Sequence, residues 1–216
     1  VKNDRLYLDE KTLTSERIKR EIRVLLLENE CESPDEIIVA SGRESAMPHS
    51  RGSGPLKAGE PIIIDIFPRN ENNYFGDMTR TFVKGEIRDE VKEMKKAVLE
   101  AQKAALDVLE KGAGVKANEV YYKVCDVLES HGYQTLRDNH TESGFIHSTG
   151  HAVGLDLHEP PRIAGNEDEL KEGMTLTIEP GLYLPEIGGV RIEDMILVKE
   201  EGYEDFNSMH KELKVD

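Results

Sequence analysis

The sequence predicts an α+β fold: a curved, mostly antiparallel sheet with helices packed on its outer face. Three observations lead there. Two strand-turn-strand units, 61–83 and 174–199, are closed by short turns, which suits antiparallel pairing and not a doubly wound parallel sheet. Helical periodicity falls in separate blocks outside those units. The two halves, about 1–112 and 113–216, share this plan without internal sequence identity, in one large domain or two small lobes.

The first helix is expected from Thr14 or Ser15 to about Asn29, because Ile18, Ile22, Leu25 and Leu26 recur at helical spacing opposite a charged face. A short strand follows at 37–39. Residues 41–59 are rich in Gly, Ser and Pro and read as a long loop. The apolar strand 61–67, the turn 68–73 and a strand from Asp77 to Val83 read as a hairpin. An amphipathic helix covers 89–111, with Val91, Met94, Val98, Ala101, Ala105, Val108 and Leu109 on its stripe and Gly112 as its cap. A third helix runs over 118–131 and ends at Gly132. After a histidine-rich segment, 144–161, two strands are expected at 174–183 and 189–199.

Composition narrows the function. With 43 acidic against 28 basic residues the net charge is −15, so phosphate backbones and anionic lipid are repelled, and nucleic acid and membranes are excluded as partners. No run approaches the roughly 18 apolar residues of a membrane helix, and no signal-peptide pattern opens the chain. Cys31 and Cys125 make neither a disulfide framework nor a metal pair, which suits a cytoplasmic protein. The first residue is Val1, so the chain reads as a trimmed or partial one.

Carboxylates stand where the apolar pattern should exclude them. Asp65 interrupts Ile62-Ile63-Ile64 and Ile66-Phe67, Glu179 follows Leu176-Thr177-Ile178, and Glu193 sits within 190–198. A buried ionised carboxylate is destabilised by several kcal/mol unless a cation compensates it. At any one position an outward-facing acid, or one paired with Arg80 or Arg191, explains the pattern equally well. For four acids on four neighbouring strands the arginines are too few. Alternation puts Ile62, Ile64 and Ile66 on one face and Asp65 on the other, so the acids face a cleft. Asp77 is brought near Asp65 by its hairpin, Glu179 and Glu193 meet in the second unit, and His151 supplies a nitrogen. Such a set suits two divalent ions roughly 3.5–4 Å apart, with Mn²⁺, Co²⁺, Fe²⁺ or Zn²⁺ expected.

At this point the chain resembles the pita-bread-fold metallopeptidases, the family of prolidase, aminopeptidase P and methionine aminopeptidase. The motifs are Met47-Pro48-His49, Asp65 with Asp77-Met78-Thr79, Phe145-Ile146-His147-Ser148-Thr149-Gly150-His151, Gly154 to Pro160, Thr177-Ile178-Glu179-Pro180-Gly181, and Gly188 to Asp194. The resemblance implies that Asp65, Asp77, His151, Glu179 and Glu193 bind two divalent ions, Mn²⁺ or Co²⁺ first and Fe²⁺ or Zn²⁺ as alternatives. It implies a metal-bridging hydroxide as nucleophile, Glu179 as general base, and His158 steadying the carbonyl oxygen. His49 and His147 resemble substrate-side histidines, and Arg191 holds a substrate carboxylate or orients Glu193. His49 belongs with Glu179 and His158 in the catalytic set.

The prolidase branch fits best, with short proline-containing peptides as substrates and a homodimer as the expected assembly. The implied reaction is hydrolysis of the Xaa-Pro bond, by a dipeptidase or an aminopeptidase. Alternatives are a peptide- or protein-binding module of the same fold, methionine aminopeptidase-like activity, and metal-independent hydrolysis like that of creatine-hydrolysing enzymes. Two departures stand out. The family's Asp-x-Gly is here Asp65-Ile66-Phe67, and the Asp65–Asp77 connection is longer, to be absorbed by a bulge. An N-terminal domain usual in prolidases is also expected to be absent.

Overall fold

The computed structural model describes residues 1–138 and 141–215; His140, to which the sequence assigns no role, lies outside them. Among the described residues three α-helices form where apolar residues recur at helical spacing. In α1 (Ser15–Glu28) the Thr14 hydroxyl accepts the Arg17 N–H at 3.2 Å, satisfying one free donor of the first turn. Its contact row follows Ile18, Ile22 and Leu26, which pack against Leu6, Ile37, Val39 and Leu56. Leu25, expected on that stripe, lies off the i, i+4 row and is 57% exposed.

α2 (Asp89–Leu109) and α3 (Ala117–Ser130) pack together over the main core, which joins Met94, Val98 and Ala101 to Val124, Leu128, Leu176, Ile178 and Ile196. Gly112 follows α2 with φ +76°, and a Cβ there would lie 2.3 Å from the Glu200 carbonyl oxygen.

The site is built on β1 (Ile38–Ser41), β2 (Ile62–Ile66), β3 (Met78–Lys84), β4 (Gly150–Ala152), β5 (Glu159–Ile163), β6 (Thr175–Ile178), β7 (Gly181–Leu184), β8 (Gly188–Arg191), β9 (Asp194–Val198), β10 (Tyr203–Asp205) and β11 (Lys214–Val215). One sheet has the order β11-β3-β2-β1, another β10-β9-β6-β4-β5, and β7 pairs with β8. Only β11 with β3 is parallel among these pairs. The α+β pita-bread arrangement holds, with helices covering one face and the acids left on the other.

The first hairpin keeps a single register, from Ile62 opposite Phe82 to Ile66 opposite Met78 and on to Arg69 opposite Phe75. The longer Asp65–Asp77 connection is therefore absorbed by extra hairpin length, not by the expected bulge. Its turn is closed by Asn70, whose Oδ1 accepts the Asn72 and Tyr74 N–H groups at 3.0 and 3.1 Å, with Asn73 at φ +67°.

The second hairpin departs from two uninterrupted strands. β6 with β9 and β7 with β8 are separated by a gap at Glu179-Pro180 and Ile192-Glu193. Pro180 has no N–H to give. The Glu179 N–H turns to the Thr149 oxygen at 2.7 Å, and the Glu193 N–H turns to the Thr79 oxygen of the first hairpin at 3.1 Å. The gap is thus where the two hairpins are joined.

Behind that junction lies a buried cluster of charge. Arg80 Nη2 pairs with Asp194 Oδ1 at 2.6 Å and Nη1 donates to the Glu193 carbonyl at 2.6 Å; Lys211 also pairs with Asp194, and Gln102 donates to it at 3.1 Å. Lys95 is buried nearby and its Nζ has no partner among the described residues. Burial, then the charges of Arg80 and Lys211, pushes its pKa down to about 8. Since that value lies below the usual 10.5, the penalty of holding it charged is present in full below about pH 8 and fades as pH rises toward 10.5.

Two substitutions in this cluster are expected to act in opposite directions. Asp194→Asn leaves buried cations uncompensated and lowers stability by about 3–5 kcal/mol, whereas Lys95→Met raises it by about 1–3 kcal/mol at neutral pH. Thermal melts of both variants at about pH 7 check the pair of signs.

Candidate metal centre

The registers decide how the acids meet. In the second hairpin Ile178 faces Asp194 and Gly181 faces Arg191, which sets Glu179 opposite Glu193 across the gap. In the first, Asp65 faces Thr79, while Ile66 opposite Met78 and Arg69 opposite Phe75 set Phe67 opposite Asp77. Asp65 and Asp77 are therefore diagonal neighbours on one face. β4 brings His151 between the hairpins, and its Nε2 lies 3.6 Å from Asp77 Oδ2 and 3.7 Å from Glu179 Oε1.

Glycine makes this approach possible. A Cβ at Gly150 would stand 1.9 Å from the Thr177 carbonyl oxygen, so any side chain there would push His151 off β6.

All nine residues singled out by the sequence (Asp65, Asp77, His151, Glu179, Glu193, His49, His147, His158 and Arg191) line one cleft of about 800 Å³. Asp65, Asp77, His151 and Glu193 are buried, while His49 and His158 are exposed. The His158 ring lies over His151, with centroids 4.3 Å apart.

Arg191 is committed to the protein. Its Nη2 donates to Asp65 Oδ2 at 2.6 Å, its Nη1 to the Tyr183 hydroxyl at 2.8 Å and the Pro48 carbonyl at 3.3 Å, and its Nε to Thr79 Oγ1 at 3.2 Å. Thr79 in turn donates to Glu193 Oε2 at 2.7 Å. One guanidinium thus orients acids of both hairpins.

His147 is likewise engaged at both nitrogens. Nδ1 lies 2.6 Å from the Ser148 carbonyl, which only accepts, so Nδ1 carries the hydrogen. Nε2 accepts from the Tyr183 hydroxyl at 2.8 Å. Burial and the Arg191 charge hold this ring neutral, its pKa pushed down to about 3.

The electrostatics call for cations. Burial first, then the neighbouring carboxylates, raises Asp77 and Glu193 well above the usual range, and burial raises Glu179 to about 7. Burial lowers His151 to about 4, leaving its imidazole neutral and able to donate a lone pair.

The residues fit divalent ions on three observations. Donor atoms of Asp77, His151 and Glu193 all lie within 4.8 Å of one another. Asp65 Oδ1 is buried without a partner among the described residues, while its other oxygen is held by Arg191. The donors are carboxylate oxygens and one imidazole, a set suited to hard or borderline cations.

Sequence reasoning missed three contributors. Thr79 and Tyr183 look like ordinary strand residues, and only the fold shows that they connect Arg191 to Glu193 and His147. Arg162 was also passed over. It stands opposite His151 in the β4–β5 register and faces the cleft, so its place in the motif-rich segment was the available signal.

A cleft walled by two acid-bearing hairpins and a bridging histidine is a candidate metal centre on a pita-bread fold. The chain belongs to the metallopeptidase family M24, whose model matches residues 6–200. It is 38% identical over 199 residues to the Xaa-Pro dipeptidase of Pyrococcus furiosus, covering 91% of this chain and 54% of that protein. It is 36% identical over 180 residues to the Xaa-Pro dipeptidase of Lactobacillus delbrueckii, covering 82% and 46%. Among solved structures, the X-Pro aminopeptidase of Thermotoga maritima superposes with a TM-score of 0.85 at 33% identity, covering 94% of this chain and 56% of that one. The Pyrococcus furiosus prolidase superposes with a TM-score of 0.83 at 37% identity, covering 93% and 57%. The chain spans about half the length of the curated relatives it matches.

Because these carboxyls keep protons that the unfolded chain would release, the metal-stripped protein loses stability as pH rises through the interval from 4.5 to about 7 set by Glu179. A divalent ion removes that loss. Melting curves with and without Mn²⁺ should show a small upward shift near about pH 5 and a large one near about pH 8. Equal shifts at both would contradict this electrostatic reading.

Proposed function

We propose that this domain is the catalytic part of a peptidase that uses two divalent ions to hydrolyse the Xaa-Pro bond of dipeptides or short peptides. The observation that carries the reading is the convergence of four carboxylates from the two hairpins with His151 of β4, and a buried oxygen of Asp65 left for an ion. Asp65, Asp77, His151, Glu179 and Glu193 would hold the pair, with Mn²⁺ or Co²⁺ preferred by an oxygen-rich, thiolate-free set and Fe²⁺ or Zn²⁺ as alternatives. When bound, such a pair supplies a water of lowered pKa and polarises the scissile carbonyl.

The chain's own groups do the rest. Glu179 would take the water's proton as general base. His158, exposed over His151, donates a hydrogen bond to the carbonyl oxygen as charge develops there. His49 lines the same cleft and would reach the substrate there, and His147 presents its ring to the cleft while both nitrogens stay engaged. Arg191 orients Asp65 directly and Glu193 through Thr79, which assigns it to the acids instead of the substrate.

The carboxylate of a dipeptide is left to Arg162. Its Nε contacts only Ser148 Oγ, at 3.3 Å, and no carboxylate lies within ion-pair reach among the described residues. The names of the relatives, dipeptidase and aminopeptidase, support proline-directed cleavage. A cytoplasmic homodimer completes the proposal. The described helices include none long and apolar enough to cross a membrane.

The test is cleavage of Xaa-Pro dipeptides, longer Xaa-Pro peptides and Xaa-Ala controls after stripping metal and restoring Mn²⁺ or Co²⁺. Metal-dependent cleavage of the Xaa-Pro set is expected, with Glu179→Gln lowering kcat about 10²–10⁴-fold. Arg162→Met should raise KM for dipeptides about tenfold, and less for longer peptides whose carboxylate lies elsewhere. Preference for Xaa-Ala would sink the proline assignment, and metal binding without cleavage would favour a peptide-binding module.

A further inference from the structure

Phe67 is a large apolar side chain placed among acids. Along β2, Ile62, Ile64 and Ile66 face the outer cluster with Leu6, Val39 and Leu56, while Ile63 and Asp65 face inward. Phe67 is the next inward position, one pleat beyond Asp65 and directly opposite Asp77. Its side chain is only 8% exposed, yet it joins none of the three apolar clusters of described residues. It lines the cleft instead, with Ile38, Pro48, Leu157 and Pro160 as the other apolar lining. A ring that would bury roughly 150–250 Å² in a core here forms a wall beside the catalytic acids.

The order of residues across the cleft tells which part of a substrate meets that wall. Arg162 stands opposite His151, His151 lies 3.6 Å from Asp77, and Asp77 stands opposite Phe67. Arg162 and Phe67 thus stand at the two ends of this series, with His151 and Asp77 between them. A dipeptide whose carboxylate is held at Arg162 crosses the acids with its peptide bond and brings its N-terminal residue to Phe67. Pro48 limits the same space, and its carbonyl is fixed by Arg191 at 3.3 Å.

We propose that Phe67 sets the size of the subsite for the side chain on the N-terminal side of the cleaved bond, so that peptides with a small apolar residue there are favoured over bulky ones. This rests on the peptidase reading and names the substrate class within it. The ring closes space that a smaller residue would leave open. It also offers no hydrogen-bond partner to a polar side chain, which would lose its hydration on entry.

The experiment compares Ala-Pro with Phe-Pro on the Mn²⁺-loaded full chain. Wild type should prefer Ala-Pro. Phe67→Gly should raise the Phe-Pro to Ala-Pro ratio of kcat/KM by about tenfold or more, since even one methylene in a tight pocket is worth about 10–200-fold. Phe67→Leu should shift it the same way by less, and gives the answer if the glycine variant does not fold. Phe67→Tyr, of nearly equal size, should hold the ratio within about threefold.

Mn²⁺ isotherms of the variants should match wild type, which separates a change of subsite from damage to the centre. A ratio unmoved by Gly or Leu in an enzyme that cuts Ala-Pro overturns the proposal and leaves the peptidase reading standing. If wild type binds both peptides without cutting, that reading fails, and the same ratio taken from dissociation constants decides Phe67. A wild type that neither binds nor cuts either peptide overturns both.

Discussion

Mutual repulsion of buried carboxylates is the constraint on which this structure depends. Glu179 and Glu193 face each other across one hairpin, Asp65 and Asp77 sit diagonally on the other, and all four share one cleft. Like charges in opposed strand positions are destabilising even at a surface, and burial makes the cost larger. The chain reduces it in part. Arg191 balances Asp65, and Thr79 gives Glu193 a hydrogen bond, but Asp65 Oδ1 remains without a partner. What remains is a demand for positive charge that the described side chains do not meet.

The backbone meets the same demand by breaking its own ladders. A continuous second hairpin would satisfy more hydrogen bonds within itself, yet at Glu179-Pro180 the pairing opens and both glutamate N–H groups bond elsewhere, to Thr149 and Thr79. Those two bonds tie the second hairpin to β4 and β3 and hold the carboxylates toward the cleft. Arg80 braces the junction from behind, donating to the Glu193 carbonyl while pairing with Asp194. The cleft carboxylates thus sit where elements are stitched together.

Much of this was legible in the sequence, and for physical reasons. Alternation is a local property, so Asp65 could be placed on the face opposite Ile62, Ile64 and Ile66 before any tertiary contact was known. Caps are equally local, and α1 begins at Ser15 behind its Thr14 cap, within the expected start at Thr14 or Ser15. The gap in the second hairpin was not legible, because it depends on partners 30 residues away in Thr149 and more than 100 away in Thr79. Leu25 failed for a milder reason: apolar spacing shows that a stripe exists, not where its edge falls. The longer first hairpin was mistaken for a bulge because length alone does not reveal that Asn70 closes a turn upon itself. Thr79, Tyr183 and Arg162 act through geometry, which residue type does not announce.

The central claim is that paired cations replace protons among these carboxyls. The most direct measurement is calorimetric titration of the metal-stripped protein with Mn²⁺ near neutral pH, in buffers of different ionisation enthalpy. Two ions bound per chain, with net release of about one proton or more, is the result this account predicts. A single ion, or binding without proton release, would contradict it.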